Sequence, residues 1–259
     1  PLSAEPLVTI VMPVFNQAKW IEQAIRSVAN QDYPNKQIVV VDDGSTDGSG
    51  DVALNCLYKP MAPREQEGVA VAIGKVTHTD TRLMIQSLPK NHGPSFALNW
   101  GFKVSWDRSE LFMLLACDDY YLPGKITKSV EAIKRSPGTI GAVYTDYDIE
   151  HEDGRLSRVY CEPYSSNVLA RRNIVSSMSL VSKDAFGRAG VMDESLRTCE
   201  DWDLWLRISE HFNIVHIPEV LAVKREGKHT STNTVSKIQW NLDHGRVQDK
   251  LLARTKGAK

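Results

Sequence analysis

Three apolar runs, the first two rich in β-branched residues and each closed by turn chemistry, set the strongest limit on what this chain can fold into. Residues 7–14 (LVTIVMPV), 37–41 (QIVVV) and 111–116 (LFMLLA) show no alternation of apolar and polar positions. Such runs read as strands buried on both faces, which occur mainly in parallel sheets covered by helices. Between them lie segments with helical spacing. In residues 18–29, Ile21, Ala24, Ile25 and Val28 fall on one face, with Asn16 as a candidate N-cap. Residues 95–104 and 126–133 read as further helices, and 83–88 and 140–144 as further strands. Residues 42–50 (DDGSTDGSG) are turn chemistry, where Ser45 or Thr46 is placed to cap another helix. This β–α–β–α order predicts a mostly parallel α/β sheet with helices on both faces. Ligands of such sheets sit at the carboxyl ends of the strands. Asn16, the pair Asp42 and Asp43, and the pair Asp118 and Asp119 all fall there.

Elsewhere the pattern weakens. Residues 58–80 hold Pro60, Pro63, Gly68 and Gly74 with little periodicity and read as a long surface excursion. Beyond residue 146 the predicted strands shorten to 179–183, 214–217 and 220–223. Residues 200–212 form a helix apolar almost all round, hence buried. Residues 235–252 read as a polar helical tail.

Composition removes several function classes. The chain has 259 residues, with 31 Lys plus Arg against 32 Asp plus Glu, a formal charge of −1. That balance argues against a general nucleic-acid binder. No run approaches the length of a membrane span, and the start shows no charged region followed by a long apolar one. The absence of an initiator Met reads as a processed chain or a piece of a longer one. Cys56, Cys117, Cys161 and Cys199 lack CxxC spacing, so reduced thiols are expected rather than zinc or disulfides. A cytoplasmic location, at most peripheral at a membrane, is the corresponding expectation.

Acidic pairs recur at 118/119, 146/148 and 201/203. Such pairs are more often solvated turns or helix N-termini than ligands. Context favours Asp118 and Asp119, because a buried strand leads into them and Pro123-Gly124 follows. Two hard carboxylates at a sheet's carboxyl edge suit Mg²⁺ or Mn²⁺, which keep waters and accept phosphate oxygens.

Four segments carry a resemblance: VMPVFNQAKWIEQAIRSVANQ (11–31), IVVVDDGSTDGS (38–49), LLACDDYYLPGK (114–125) and CEDWDLWLRI (199–208), with weaker support from NHGPSFALNWG (91–101). In order and spacing the chain resembles the family 2 glycosyltransferases of the GT-A fold, over roughly residues 6 to 232. The resemblance implies a Rossmann-like sheet plus a smaller acceptor-binding part, and inverting transfer from a nucleotide-sugar, usually UDP-linked. It implies that Pro13, Val14 and Phe15 floor the nucleotide base, that Asp43 accepts from the base, and that Asn91 touches the nucleotide. Asp118 would contact ribose or sugar, and Asp119 would hold Mn²⁺ or Mg²⁺. His229 would be a second contact to metal or diphosphate, or else an exposed loop histidine; Asp201 would be the catalytic base, and Glu200 would bind the acceptor or position Asp201. Residues 1–119 would form the nucleotide-sugar subdomain, 120–232 the acceptor and base subdomain, and 233–259 a helical tail that packs on the domain or leads to a further one. Ala116 stands where the family usually has an acid, and Phe15 where Tyr is common. A carbohydrate or glycoconjugate acceptor is implied, without nucleic acid and without a transmembrane segment.

The residues also leave bland readings. Cys117 and Cys199 are expected as small fillers and Trp205 as core, with Trp202 open between core and sugar stacking. Arg225 and Lys228 divide between phosphate contact and solvated surface charge, and Asp193-Glu194 between acceptor cleft and solvated turn. The alternative function is a non-catalytic nucleotide-sugar or glycan-binding module that kept the fold. A sugar-nucleotide pyrophosphorylase is disfavoured because residues 13–20 form no Gly- and Lys/Arg-rich phosphate loop.

Overall fold

The computed structural model describes residues 2–61, 64–227 and 236–257. In chain order the elements are β1 (Val8–Val14), α1 (Ile21–Ala29), β2 (Lys36–Asp42), α2 (Ser49–Asn55), β3 (Leu57–Tyr58), β4 (Arg64–Gln66), β5 (Val69–Val76), β6 (Arg82–Ser87), α3 (Pro94–Ser105) and β7 (Leu111–Leu114). There follow β8 (Tyr120–Tyr121), α4 (Lys125–Lys134), β9 (Ile140–Glu150), β10 (Leu156–Val159), α5 (Ser166–Leu169), β11 (Leu180–Ser182), α6 (Lys183–Ala189), α7 (Glu200–Ser209), β12 (Asn213–Arg225) and α8 (Lys237–Gly257).

All twelve strands join one sheet in the order β3-β5-β6-β2-β1-β7-β11-β9-β12-β8, with β10 on β9 and β4 on β5. The unit β6-β2-β1-β7 is parallel throughout. Its strand order reverses beside β1, which opens a crevice outside the carboxyl ends of β1 and β7. The alternation of β1 explains why it had to be apolar on both sides. Ile10 and Met12 enter the core under α1 and α4, while Val11 packs on the opposite side with Phe102 and Phe112. Beyond β7 the sheet turns mixed, since β11 runs antiparallel to both β7 and β9.

Four expectations are corrected. Residues 58–80 are no excursion: β5 pairs antiparallel with β6 and buries Val69, Val71, Ala72 and Val76. Residues 214–217 and 220–223 are one strand, β12, whose register shifts between Ile217 and Val220 absorb Pro218. The strand expected over 140–144 extends to Glu150 as β9. Asn16 does not cap α1, and neither Ser45 nor Thr46 caps α2; the flanking positions are Trp20 and Gly48, without side-chain caps. These three polar residues tie the ends of β1 and β2 together instead. The Thr46 amide donates to Asn16 Oδ1 at 2.8 Å, and the Asn16 amide donates to Ser45 Oγ at 3.0 Å.

Candidate active site at the carboxyl edge

The first part of the site is the end of β1 against the end of β2. The Asp43 amide donates to the Val14 carbonyl at 2.8 Å, which seats Pro13 and Val14 beside the turn. Phe15 leaves the strand with 46% of its surface exposed. Asp43 is 2% exposed. Its carboxylate accepts from the amides of His92 at 2.9 and 3.0 Å and Gly93 at 2.7 Å. Asn91 donates its side-chain amide to the Asp43 carbonyl at 3.3 Å. Asp43 therefore closes the start of α3 against the β2 turn, a tie the sequence did not announce. The approach is close: a Cβ on Gly44 would lie 2.6 Å from the Lys90 carbonyl carbon, so only glycine fits there. Asp42 accepts from the Ser45 amide at 3.0 Å and supports the turn.

The second part is the loop after β7. Asp118 and Asp119 are both buried. Burial, then the charge of Asp118, raises the pKa of Asp119 against the opposing pull of Lys224 and Arg225. Asp119 Oδ1 accepts the Arg225 amide at 2.9 Å, and Arg225 Nη1 donates to the Asp118 carbonyl at 2.8 Å. Arg225 also donates to Gln23 at 2.6 Å and lies over the rings of Trp20 and Tyr120. It is thus a buried organiser of this loop, and not solvated surface charge. Adjacent carboxylates forced together out of water are relieved by a cation, so the donor set fits Mg²⁺ or Mn²⁺. Among the described residues no cluster of three or more His, Cys, Asp or Glu could hold a metal. Waters and donor oxygens would have to complete the shell, as these ions allow. His229 and Lys228 lie outside the described residues.

The third part is the start of α7. Asp201 Oδ2 accepts from Asn173 Nδ2 at 3.1 Å. Burial raises its pKa, while the Trp202 amide, Lys224 and Asn173 hold it back. Glu200 is raised by burial and then by Asp201. Asp201, Asn173, Tyr147, Cys161, Arg172 and Lys224 line a cavity of about 290 Å³. The charge of Lys224 acts on Asp119, Glu200 and Asp201 alike, and Tyr147 feels both Asp119 and Asp201. The two acids, 82 positions apart (201 − 119), share these neighbours. Reasoning from sequence missed Lys224, Tyr147 and Asn173. The one signal available was Tyr147 inside Asp146-Tyr147-Asp148, where the acids drew attention from the ring.

The remaining candidates are structural. Asp146 pairs with His216 at 2.7 Å and Asp148 with Arg158 at 3.1 Å. Asp203 pairs with Arg207 at 2.8 Å. Trp205 is fully buried core, and buried Trp202 donates to the Leu169 carbonyl at 2.7 Å. Asp193 pairs with Lys250 and is held down to about 2: burial opposes this, and hydrogen bonds from Lys250 and Ser195 outweigh it. Glu194 accepts from Asn99 at 2.8 Å. Cys117 is buried beside the acids, where burial pushes its thiol well up. A larger depression of about 520 Å³, lined by Trp106, Lys183, Arg188 and Phe212, lies at the opposite, amino edge and holds none of the site acids.

Comparison with known proteins bears on the family and the fold. Residues 9–196 match the model of "Glycosyl transferase family 2". An "Uncharacterized glycosyltransferase" of Rickettsia felis is 31% identical over 230 residues, covering 85% of this chain and 34% of that protein. The chain thus spans about a third of that relative's length. S. aureus TarS 1–349 in complex with UDP-GlcNAc superposes with a TM-score of 0.68 at 16% identity, covering 89% of this chain and 61% of the other. The mannosyltransferase PcManGT of Pyrobaculum calidifontis, in complex with GDP-Man and Mn²⁺, gives 0.65 at 19% identity, covering 93% and 64%. At these identities the structural likeness is one of fold.

Proposed function

The chain belongs to glycosyl transferase family 2 and has a GT-A-type fold, and from this premise we propose that it transfers a sugar, with inversion, from a UDP-sugar to the hydroxyl of a carbohydrate or glycoconjugate acceptor. Residues 1–119 bind the donor, with Pro13, Val14, Phe15, Asp43 and Asn91 at the nucleotide and Asp118 at the ribose or sugar. Residues 120–232 bind the acceptor. The observation that supports this most is that Asp201, Tyr147 and Lys224 line one cavity, while Asp119, bonded to the Arg225 amide next to Lys224, feels the charge of that same lysine.

The chemistry needs a base on one side of the sugar and charge relief on the other. The acceptor hydroxyl is a weak nucleophile, so Asp201 takes its proton as the new C–O bond forms. The bond from the anomeric carbon to the diphosphate oxygen breaks on the opposite face, and its electron pair leaves with the diphosphate. Positive character on the ring is expected, as in glycoside hydrolysis. Asp119 would hold Mn²⁺ or Mg²⁺, with Asp118 beside it, and a cation there would supply charge neutralisation for the leaving group. Asn173 fixes the Asp201 carboxylate, and Lys224 keeps it toward the ionised form that a base requires.

Ala116 favours a second reading, a binding module that no longer turns over donor. A screen of UDP-GlcNAc, UDP-glucose, UDP-galactose and GDP-mannose separates the two, with Mn²⁺ present and nucleoside diphosphate release as the signal. The enzyme reading expects release from one donor, loss in EDTA, and recovery with Mn²⁺ or Mg²⁺. It further expects Asp201→Asn to lower turnover on the order of 10²-fold or more with donor binding kept. Donor binding in calorimetry without release from any donor supports the module. Near wild-type turnover in Asp201→Asn removes the base assignment.

A further inference from the structure

We infer that α8 is a positioning element of the proposed active site, and that its buried carboxylate, Asp243, sets the turn that delivers Asp201. The inference rests on the reading of Asp201 as the base.

The family match ends at residue 196, and α7 starts four residues later at Glu200. Cys199 stands at φ 59°, a left-handed conformation that a residue with a Cβ keeps only where its surroundings impose it. The helix that follows has no side-chain cap. The restraint comes from α8. Asp243 is fully buried, and its Oδ2 accepts the amides of Arg197 and Thr198 at 3.1 Å each and the Thr198 hydroxyl at 3.2 Å. Gln239 Nε2 donates to the same oxygen at 2.9 Å. Burial works against the charged form of Asp243, and these donors outweigh it, so its pKa falls.

The same helix holds the other side of the base. Gln248 Nε2 donates to the Ala170 carbonyl at 3.1 Å. Ala170 lies three residues before Asn173, whose amide donates to Asp201. Between these anchors, His244 packs its ring 4.8 Å from Trp202, the residue after Asp201, and Val247 is fully buried. Positions 243, 244, 247 and 248 are spaced as one helical face. That face spans both segments that fix the carboxylate. Its anchors are mostly polar, which is why the tail read as an unremarkable solvated helix.

The test uses the full chain and two readouts, hydrogen exchange of residues 196–201 and the nucleoside diphosphate release described above. Asp243→Ala leaves the amides of Arg197 and Thr198 without their acceptor. It is expected to raise exchange in 196–201 at least ~10-fold, and to lower kcat by ~10–100-fold with KM for the nucleotide-sugar unchanged. Asp243→Asn keeps a carbonyl oxygen for those amides and is expected to stay within ~3-fold of wild type in both. Lys250→Met, on another part of α8, removes bridges to Asp203, at 3.0 Å, and to Asp193 and serves as the stability control. It is expected to lower Tm without moving exchange in 196–201 or kcat. Wild-type exchange and kcat in Asp243→Ala overturn the inference, as does an equal loss of kcat in Lys250→Met at matched Tm. If Asp243→Ala does not fold, Gln248→Ala carries the same expectations for kcat and KM. Asp201→Asn at wild-type turnover would sink the base reading while leaving the exchange result interpretable.

Discussion

Glu200 and Asp201 sit side by side at the head of α7. Burial raises both, and the charge of Asp201 raises Glu200 further, so the acid limb of kcat/KM is expected above the ordinary carboxylate range. Removing the neighbouring negative charge eases ionisation of Asp201, so Glu200→Gln is expected to move that limb to lower pH. Removing the neighbouring positive charge does the reverse, so Lys224→Met is expected to move it up. A pH–rate series on the two variants checks both signs. Lys125 is a second residue-scale case. It is fully buried, donates to Thr145 Oγ1 at 2.8 Å, and burial pushes its amine from 10.5 down to about 7. Between those pH values the unfolded chain holds a proton that the folded chain does not, so Lys125 costs less stability as pH rises. Below about 7 the full penalty is present. Lys125→Met is therefore expected to be more stable than wild type at pH 6, with the gap closing toward pH 9 by at most about 1.4 kcal/mol per pH unit. Paired urea titrations measure it. The acids Asp43, Asp118 and Asp119 were visible in the sequence because turn chemistry and strand ends marked them, and Asp201 through the resemblance carried by CEDWDLWLRI. Lys224 was not, because one lysine on a strand looks like any other until its neighbours are known.

At the scale of elements, packing decided what periodicity could not. β5 was hidden because Ala70, Ala72 and Gly74 dilute its alternation and prolines precede it. It becomes a strand by pairing with β6 and by splitting Val69 from Ala72 and Val76 between two core clusters. β12 looked like two strands because Pro218 cannot donate to a ladder, and an irregular register absorbs it. The helix α3 lies on β1 at one close point. A Cβ on Gly101 would meet Val11 Cγ1 at 2.3 Å. Gly101→Ala is expected to destabilise by about 1–3 kcal/mol, since neither element can yield without moving the strand that ends at the site. Gly187→Ala is the control: it has nothing within 4 Å in α6, so it is expected to be neutral or stabilising by up to about 1 kcal/mol. Chemical denaturation of the pair separates overpacking from helix propensity.

At the scale of the molecule, one sheet runs through both parts of the chain, residues 1–119 and those that follow. β7, from the first, bonds to β11, and β11 bonds to β9, from the second. Thermal unfolding followed at Trp20 and Trp100 on one side and at Trp202 and Trp205 on the other is expected to give coincident transitions, because neither part closes its sheet without the other. Two separated transitions would show that the parts fold independently. No helix among the described residues is long and apolar enough to cross a membrane. The amino-acid sequence alone determined the alternation of elements, the doubly buried strands of the parallel unit and the acids at their carboxyl ends. These follow from local hydrophobic pattern and turn chemistry, which act over a few residues. The tertiary structure alone decided that the loop after β7, the head of α7 and the end of β12 meet, that Asp43 ties down α3, and that Asp243 reaches back to residues 197 and 198. Those contacts join positions tens to more than a hundred residues apart, and only the pairing of distant strands and the docking of a polar helix face brings them within hydrogen-bonding range.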